Sequence, residues 1–254
     1  MMDLTHFILL LKRQWFENRK AWMIGLAAMA SILASLFLVT WHWRTSFNGD
    51  TPKGIFLIML FCGGGIFMSG ILKDLGDKQK GIWFLLLPAS AGAKLSIALI
   101  YGIIVFLIAY FAIFFGIKAI IVWLLVKDGS SWGSFDLFKN GFYQFLFTFV
   151  SFQSIILLGS VYFNKNQFLK TLLLIIIGLT IAFNGNLLLL KLITGEKTIN
   201  SNIPMGDFQF AFHNEPVYVY TTAGIDVCAS IFLWVVFPVC LWITTWFRLK
   251  EKQL

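Results

Sequence analysis

Charged side chains are missing from six long stretches of this chain. At about 1.5 Å per helical residue, each stretch is long enough to cross a hydrocarbon core of roughly 30 Å. A backbone inside lipid must satisfy its own N–H and C=O groups, so the stretches are predicted to be α-helices. The predicted fold class is an all-α membrane protein, with one transmembrane domain over residues 1–254. The six predicted spans are 21–41, 54–72, 95–117, 142–163, 171–190 and 227–247.

Composition agrees with this pattern. Hydrophobic residues make up 59% of the chain and charged residues 13%, and the mean hydropathy is +0.82. The helices of a soluble domain of this size would each carry a charged face, which these stretches lack. The three cysteines fall in apolar segments and are expected to be small buried hydrophobes. Their odd number, without C-x-x-C spacing, supports neither a disulfide framework nor a metal site.

The distribution of basic residues predicts the orientation. With six spans, both tails and the connections 73–94 and 164–170 lie on one side, which carries 13 of the 20 Lys and Arg residues. The positive-inside rule places that side, with both termini, in the cytoplasm. The predicted location is a bacterial cytoplasmic (inner) membrane. Anionic lipid head groups account for the net charge of +8, so no nucleic-acid partner is needed to explain it.

The segment 1–20 precedes the first span and has an amphipathic pattern. Leu4, Phe7, Leu11 and Trp15 recur on one face of a 3.6-residue period, and basic residues fill the other face. Such a segment typically lies in the plane of the membrane interface. An ordinary juxtamembrane anchor is the alternative reading.

The longest predicted cytoplasmic loop, 73–94, changes character along its length. It begins with charged residues, becomes strongly apolar from Ile82 to Leu87 and is then interrupted by Pro88. A residue before proline is disfavoured in helical geometry, so a short helix is expected to end near Leu87. This helix is too short to cross a membrane, and we expect it to lie along the bilayer or against a partner.

The fourth predicted span is the most polar. Gln144, Thr148 and Ser151 follow one another at i, i+4 and i+7, with Gln153 and Ser154 nearby. Uncharged polar residues on one helix face suit interhelical hydrogen bonding, and they equally suit the lining of a substrate path. Both interpretations stay open at this point.

The fifth predicted span contains Asn184, Gly185 and Asn186 near its outer end. Asn and Gly weaken helix continuity, so the helix is expected to break there and the following apolar residues to dip back into the outer leaflet. The outer connection 191–226 contains Pro204, Pro216 and several aromatic residues. We interpret it as a partly ordered cap.

Several kinds of chemistry have no sequence signature here. No Asp, Glu, Lys, Arg or His lies within the six stretches, which disfavours coupling to protons or ions. The chain has no H-E-x-x-H or other metal-ligand spacing, no G-x-S-x-G and no G-x-x-x-x-G-K-[ST] phosphate loop. We therefore expect no catalytic, cofactor-binding or metal-binding residue in this chain, and any driving energy must come from a partner.

The layout as a whole resembles that of type 2 ABC exporter permeases of the small six-span bacterial form. The loop adds a local likeness to the coupling-loop pattern of that family. The residues that carry it run from Asp74-Leu75-Gly76-Asp77-Lys78 through Gly81-Ile82-Trp83 and Leu86-Leu87-Pro88-Ala89-Ser90 to Lys94.

The resemblance implies ATP-driven export. Two permease copies, identical or related, would enclose a substrate path, and separate ABC ATPase subunits would bind ATP and Mg and dock beneath them. Within the loop, Asp74, Asp77, Lys78 and Lys80 would make charged contacts with the ATPase, and Trp83 and Phe84 would transmit its motion. The break at 184–186 would correspond to the re-entrant outer elements of this family.

Three other functions remain as alternatives. A non-transporting multi-pass membrane scaffold or immunity-type factor would work without an ATPase. A channel or secondary transporter is disfavoured by the charge-free spans, and a membrane-embedded enzyme by the lack of a nucleophile, base or metal cluster. The uncharged, phenylalanine-rich spans are compatible with a lipid, a hydrophobic peptide or a drug-like molecule as substrate, and they do not discriminate among these.

Overall fold

The computed structural model describes eight parts of the chain, and within them it is mostly helical. Six helices are long and apolar enough to cross a membrane, which confirms the predicted number of spans and fits a multi-pass membrane protein. The described residues are 4–42, 50–72, 90–125, 143–195, 199–201, 207–212, 215–220 and 222–252.

Four of the six helices are simple α-helices, and the other two each contain a π-helical turn. The first four are α1 (Leu4–His42), α2 (Asp50–Ile71), α4 (Tyr143–Tyr162) and α5 (Gln167–Thr194). Helix α3 runs as Ala91–Leu99, a π-helical turn at Ile100–Val105, and Phe106–Leu125. Helix α6 runs as Ala223–Ile231, a π-helical turn at Phe232–Val236, and Phe237–Glu251.

Helix α1 joins two segments that the sequence pattern separates. From Leu4 onward, the predicted interfacial segment and the first span belong to one uninterrupted helix of 39 residues, about 58 Å long. Its beginning packs on the bundle: the Tyr101 hydroxyl donates to the Leu11 carbonyl at 2.9 Å, and Gln14 Nε2 donates to the Ile71 carbonyl at 3.4 Å. The segment is thus held against α2 and α3, and its position in the membrane interface stays a prediction.

Two apolar clusters form the core, one toward each end of the bundle. We call the end at which α1 begins and α6 ends the inner end, because it is predicted to be cytoplasmic, and the opposite end the outer end. The inner cluster includes Trp22, Met68, Leu72, Tyr101, Ile156, Leu157 and Leu249. Half of the buried residues of the outer cluster are aromatic, namely Phe37, Phe56, Phe106, Tyr110, Phe114 and Phe149. Within it, the buried Tyr110 hydroxyl donates to the Phe56 carbonyl at 2.7 Å.

Helix α4 occupies the middle of this arrangement, in contact with α2, α5 and α6. Two glycines allow the close approach of its neighbours. A Cβ atom at Gly159 would overlap the side chain of Thr171 on α5, and one at Gly64 on α2 would overlap Gln153 and Phe149 on α4. Small residues at such contacts let helices pack closely in lipid, where hydrophobicity does not drive helices together.

The predicted helix break at Asn184, Gly185 and Asn186 is wrong. Helix α5 continues through all three residues and ends at Gly195, whose φ of 72° is easily reached by glycine. Asparagine and glycine each cost a helix about 1 kcal/mol or less relative to alanine, whereas opening the backbone inside lipid costs several kcal/mol per unsatisfied group. In addition, Asn184 Nδ2 donates to the Thr180 carbonyl at 2.7 Å, within the helix.

The outer connection contains a small antiparallel sheet that the all-α prediction omitted. Its strands are β1 (Ile199–Ser201), β2 (Phe208–Phe212) and β3 (Glu215–Val219), in the order β1-β2-β3. Phe208 pairs with Val219 and Phe210 with Val217. The alternation of aromatic and other residues along β2 is the period-2 pattern of a strand. The partly ordered cap expected here therefore includes regular structure.

Candidate functional site

Helix α4 carries a band of polar side chains that are buried in the bundle. Ser151, Gln153, Ser154 and Ser160 are each at most 4% exposed, although the core around them is mostly apolar. Serine hydroxyls in such places usually bond to a helix carbonyl, as Ser154 does to Val150 at 2.8 Å and Ser160 to Leu157 at 2.7 Å. These four residues are called the α4 polar band below.

The structure divides the predicted polar stripe of the fourth span. Gln144 is exposed, and Thr148 donates back to the Gln144 carbonyl at 2.8 Å, so these two interact within their own helix. Ser151 is buried, and its hydroxyl contacts the Leu233 carbonyl at 2.7 Å. For Ser151, the geometry matches the interhelical hydrogen bond that the sequence left open. Lining of a path by Gln144 and Thr148 stays a prediction.

Leu233 belongs to the π-helical turn of α6, and α4 also contacts the π-helical turn of α3. A π-helical turn interrupts the regular i to i−4 bonding of a helix, and such turns occur frequently at functional sites. Through Ser151, the α4 polar band therefore contacts an irregular segment of α6.

Ser160 was not predicted from the sequence, and Gln153 was predicted only as a polar residue near the stripe. Gln153 is fully buried, and neither Nε2 nor Oε1 has a hydrogen-bond partner in the described part of the chain. The side chain packs against Gly64 of α2. A buried amide without partners costs about 1–3 kcal/mol. The available signal was a glutamine in the middle of one span together with Gly63-Gly64-Gly65 in the middle of another.

A second cluster of polar side chains surrounds a small pocket at the inner end. The pocket has a volume of about 30 Å³, enough to hold water. Helices α1, α2 and α3 all contribute to its walls. The lining residues are Leu10, Arg13, Gln14, Glu17, Ile71, Leu72, Lys94, Ile97 and Ala98.

Several charged side chains lie at this inner end. Arg13 Nε lies 2.6 Å from Glu17 Oε1 on the exposed side of α1, and the Lys94 side chain is buried. Across the bundle, Lys252 Nζ donates to the Val161 carbonyl at 2.6 Å, near the end of α4. Burial, and secondarily the neighbouring Arg248 cation, lowers the pKa of Lys252 below its usual value. Cationic groups near helix C-termini stabilise the free carbonyls there.

The predicted ATPase-coupling residues Asp74, Asp77, Lys78, Lys80, Trp83 and Phe84 lie outside the described residues, so their placement stays a prediction. Both ends of that segment are described. Leu72 is buried in the inner cluster and lines the pocket. On the other side, the Ser90 hydroxyl accepts from the Ala93 N–H at 3.3 Å and caps the start of α3. The segment 73–89 therefore leaves and rejoins the bundle at its inner end.

The cysteines differ from expectation. Cys62, Cys228 and Cys240 are free thiols and all three are exposed on the surface of the bundle, where the sequence pattern suggested burial. An apolar position in a membrane span can face lipid as well as the core, so hydrophobicity does not distinguish the two. In the described ranges, no group of three or more His, Cys, Asp or Glu side chains could hold a metal ion.

Comparison with known proteins yields no relative of this chain. No family model matches it, and neither a curated protein nor a solved structure does.

Proposed function

We propose that this chain is the membrane-spanning permease subunit of an ABC exporter. It would form the substrate path together with a second permease copy, and separate ATPase subunits would supply the energy. The six spanning helices and the sequence of the 73–94 loop support this proposal. The lack of a phosphate-binding loop in the sequence is consistent with a motor on another chain.

One observation supports the proposal: the described residues that flank the predicted coupling loop lie beside the beginning of α1 at the inner end. Leu72 and the buried Lys94 line the same pocket as the beginning of α1, and Ser90 caps the start of α3 beside them. A partner beneath this end could thus contact α1 and the loop at the same time.

The packing also offers a route by which a movement of the loop could reach the middle of the bundle. Ile71 is the last residue of α2 and Leu72 follows it, and both are buried in the inner cluster. Farther along α2, Gly64 packs directly against Gln153 of the α4 polar band. A displacement of the inner end of α2 would therefore be felt at that band, because packed interiors transmit strain.

The decisive experiment is affinity purification of the tagged chain from the membranes of its own host. We expect an ATPase of the ABC class to co-purify with the wild-type chain. The double variant Asp74→Lys/Asp77→Lys should lose it while remaining inserted and monodisperse, because reversed charge opposes the predicted contacts. The matched control, Glu196→Lys/Asp207→Lys, reverses two carboxylates of the outer connection and should retain the ATPase.

Two results would count against the proposal. Recovery of the wild-type chain without any ATPase, from membranes in which the chain is functional, would favour the scaffold or immunity-type alternative. Retention of the ATPase by Asp74→Lys/Asp77→Lys would remove these two carboxylates from the coupling site.

A further inference from the structure

Helix α5 stands apart from the bundle over most of its length. Its first turns are anchored, with Gln167 and Thr171 buried and Thr171 packed on Gly159 of α4. From Leu173 onward, no residue of the helix is buried. In the described part of the chain, nothing lies within 4 Å of a Cβ atom placed at Gly178 or Gly185. Apart from its contacts with β1, the outer two-thirds of α5 are thus open to lipid or another molecule.

Thr180 and Asn184 are exposed polar side chains on this part of the span. Asn184 comes 14 residues after Lys170 and seven before Lys191, about 21 Å and 10 Å along the helix axis from these two charged residues. Thr180 lies one turn before it and bonds to its own helix, at the Ile176 carbonyl. An amide in hydrocarbon without a partner is strongly disfavoured, so an exposed asparagine at this depth indicates a contact other than lipid tails.

Asn184 has hydrogen-bonding capacity to spare. Its Nδ2 donates to the Thr180 carbonyl at 2.7 Å, which uses one of its two N–H groups. Within the described residues, its Oδ1 atom and second N–H make no hydrogen bond. The side chain therefore presents both a donor and an acceptor on the outer surface of the helix.

The two polar residues belong to a regular stripe along α5. The residues of this stripe are spaced four, three, four, three and four apart: Leu173, Ile177, Thr180, Asn184, Leu187 and Lys191. This is the heptad spacing by which two helices pack along a common seam. Gly178, Ala182 and Gly185 fall on the opposite side of the helix. We call the six residues the α5 stripe.

We propose that the α5 stripe is the surface on which a second copy of this chain packs, α5 against α5 about a two-fold axis, with the two Asn184 amides paired. The inference refines the two-copy arrangement of the proposed function and rests on it. A two-fold contact brings the same residue of each copy together. A carboxamide is its own complement, since it carries both a donor and an acceptor, whereas lipid tails offer neither.

The rest of the stripe is compatible with this geometry. Two copies inserted with the same orientation have parallel α5 helices, so positions meet at equal depth. Leu173, Ile177 and Leu187 then form apolar layers around the polar layers of Thr180 and Asn184. Lys191 lies at the outer end of the stripe, where water and head groups screen the repulsion between the two cations.

Disulfide cross-linking of single-cysteine variants in native membranes tests the contact. In a background in which Cys62, Cys228 and Cys240 are replaced by alanine, Ile177→Cys, Thr180→Cys and Asn184→Cys should each form a dimer under mild oxidation. Gly178→Cys and Ala182→Cys, at the same depth on the opposite face, are the matched controls and should remain monomeric.

The amide pair is tested by the affinity of the dimer in detergent micelles. Asn184→Leu should weaken dimerisation about three- to tenfold, in line with hydrogen bonds of roughly 0.6–1.4 kcal/mol between membrane helices. Asn184→Gln, which keeps a donor and an acceptor, should restore most of the loss. Ala182→Leu should leave the affinity unchanged.

The outcomes separate this inference from the proposed function. Three results would each overturn the α5 stripe as the contact surface. The first is cross-linking at 178 and 182 instead of 177, 180 and 184, and the second is the lack of a cross-link at any position. The third is an unchanged dimer affinity of the Asn184→Leu variant. Co-purification of an ATPase would survive that result. Conversely, a dimer through the α5 stripe in a chain that binds no ATPase would retain the contact and reject the exporter.

Discussion

Helices α4 and α5 follow each other along the chain with a four-residue connection, yet their surroundings are opposite. Their most apolar 18-residue windows have mean hydropathies of 1.8 and 2.3, so both are suited to span a membrane. Half of the α4 window is buried within the chain, and none of the α5 window is. The polar residues of α4 from Ser151 onward face the protein interior, whereas Thr180 and Asn184 of α5 face outward.

Polar residues in membrane spans thus have two different uses in this molecule. On α4 the polar residues serve one chain: Ser151 contacts the Leu233 carbonyl of α6, and Ser154 and Ser160 bond within α4 itself. On α5, according to our proposal, they connect two chains. The dividing point is the contact between Gly159 and Thr171, beyond which α5 leaves the bundle.

The largest difference between the two helices is expected for the pair Gly159→Leu and Gly178→Leu. A side chain at Gly159 has to displace Thr171, and overpacking of this kind costs typically about 1–3 kcal/mol and occasionally more. At Gly178 a side chain meets open space, so the second variant should keep the wild-type stability. Thermal unfolding in detergent, followed by size-exclusion chromatography, measures both. Equal losses in the two variants would contradict the division between a buried and an exposed helix.

A smaller effect of opposite sign is expected for Gln153→Leu. The substitution removes a buried amide that has no partner, and we expect the free energy of unfolding to rise by about 1 kcal/mol. Gln144→Leu, on the exposed part of the same helix, should change stability by less than about 0.5 kcal/mol. A destabilised Gln153→Leu protein would show that the amide is satisfied in the folded chain.

The smallest effect is expected for hydroxyl deletions. Ser151→Ala removes the contact with the Leu233 carbonyl and should cost about 0.6 kcal/mol, the average for hydrogen bonds between membrane helices. Thr180→Val removes only a bond within α5, and the monomer should lose less than that. Urea- or detergent-induced unfolding of the monomeric fraction gives both values. A larger loss of monomer stability for Thr180→Val than for Ser151→Ala would contradict the proposed difference between the two helices.

Part of the fold could be read from the sequence because lipid imposes simple rules. Charge-free runs of about 20 residues must be helices, so the number of spans followed directly. The same environment explains the failure at Asn184–Asn186: residues that end helices in water do not end α5, because leaving the helix inside lipid costs more.

The hydrophobic pattern of the sequence did not predict how the helices pack against one another. In lipid an apolar residue is equally suited to the core and to the surface, so periodicity indicates neither that Gln153 faces Gly64 nor that Cys62 is exposed. For the same reason the stripe of Gln144, Thr148 and Ser151 was treated as one face, although only Ser151 is buried. The sheet of the outer connection was visible in the alternation of Phe208, Phe210 and Phe212, but the surrounding prolines and glycine favoured irregular structure.

The contrast between α4 and α5 can be measured on the wild-type chain with a photoactivated carbene reagent dissolved in the bilayer, followed by mass spectrometry of its peptides. We expect strong labelling of α5 between Leu173 and Leu189, on the side opposite the α5 stripe, and little labelling of α4 between Phe149 and Val161. Labelling of these α4 residues as strong as that of α5 would contradict the account.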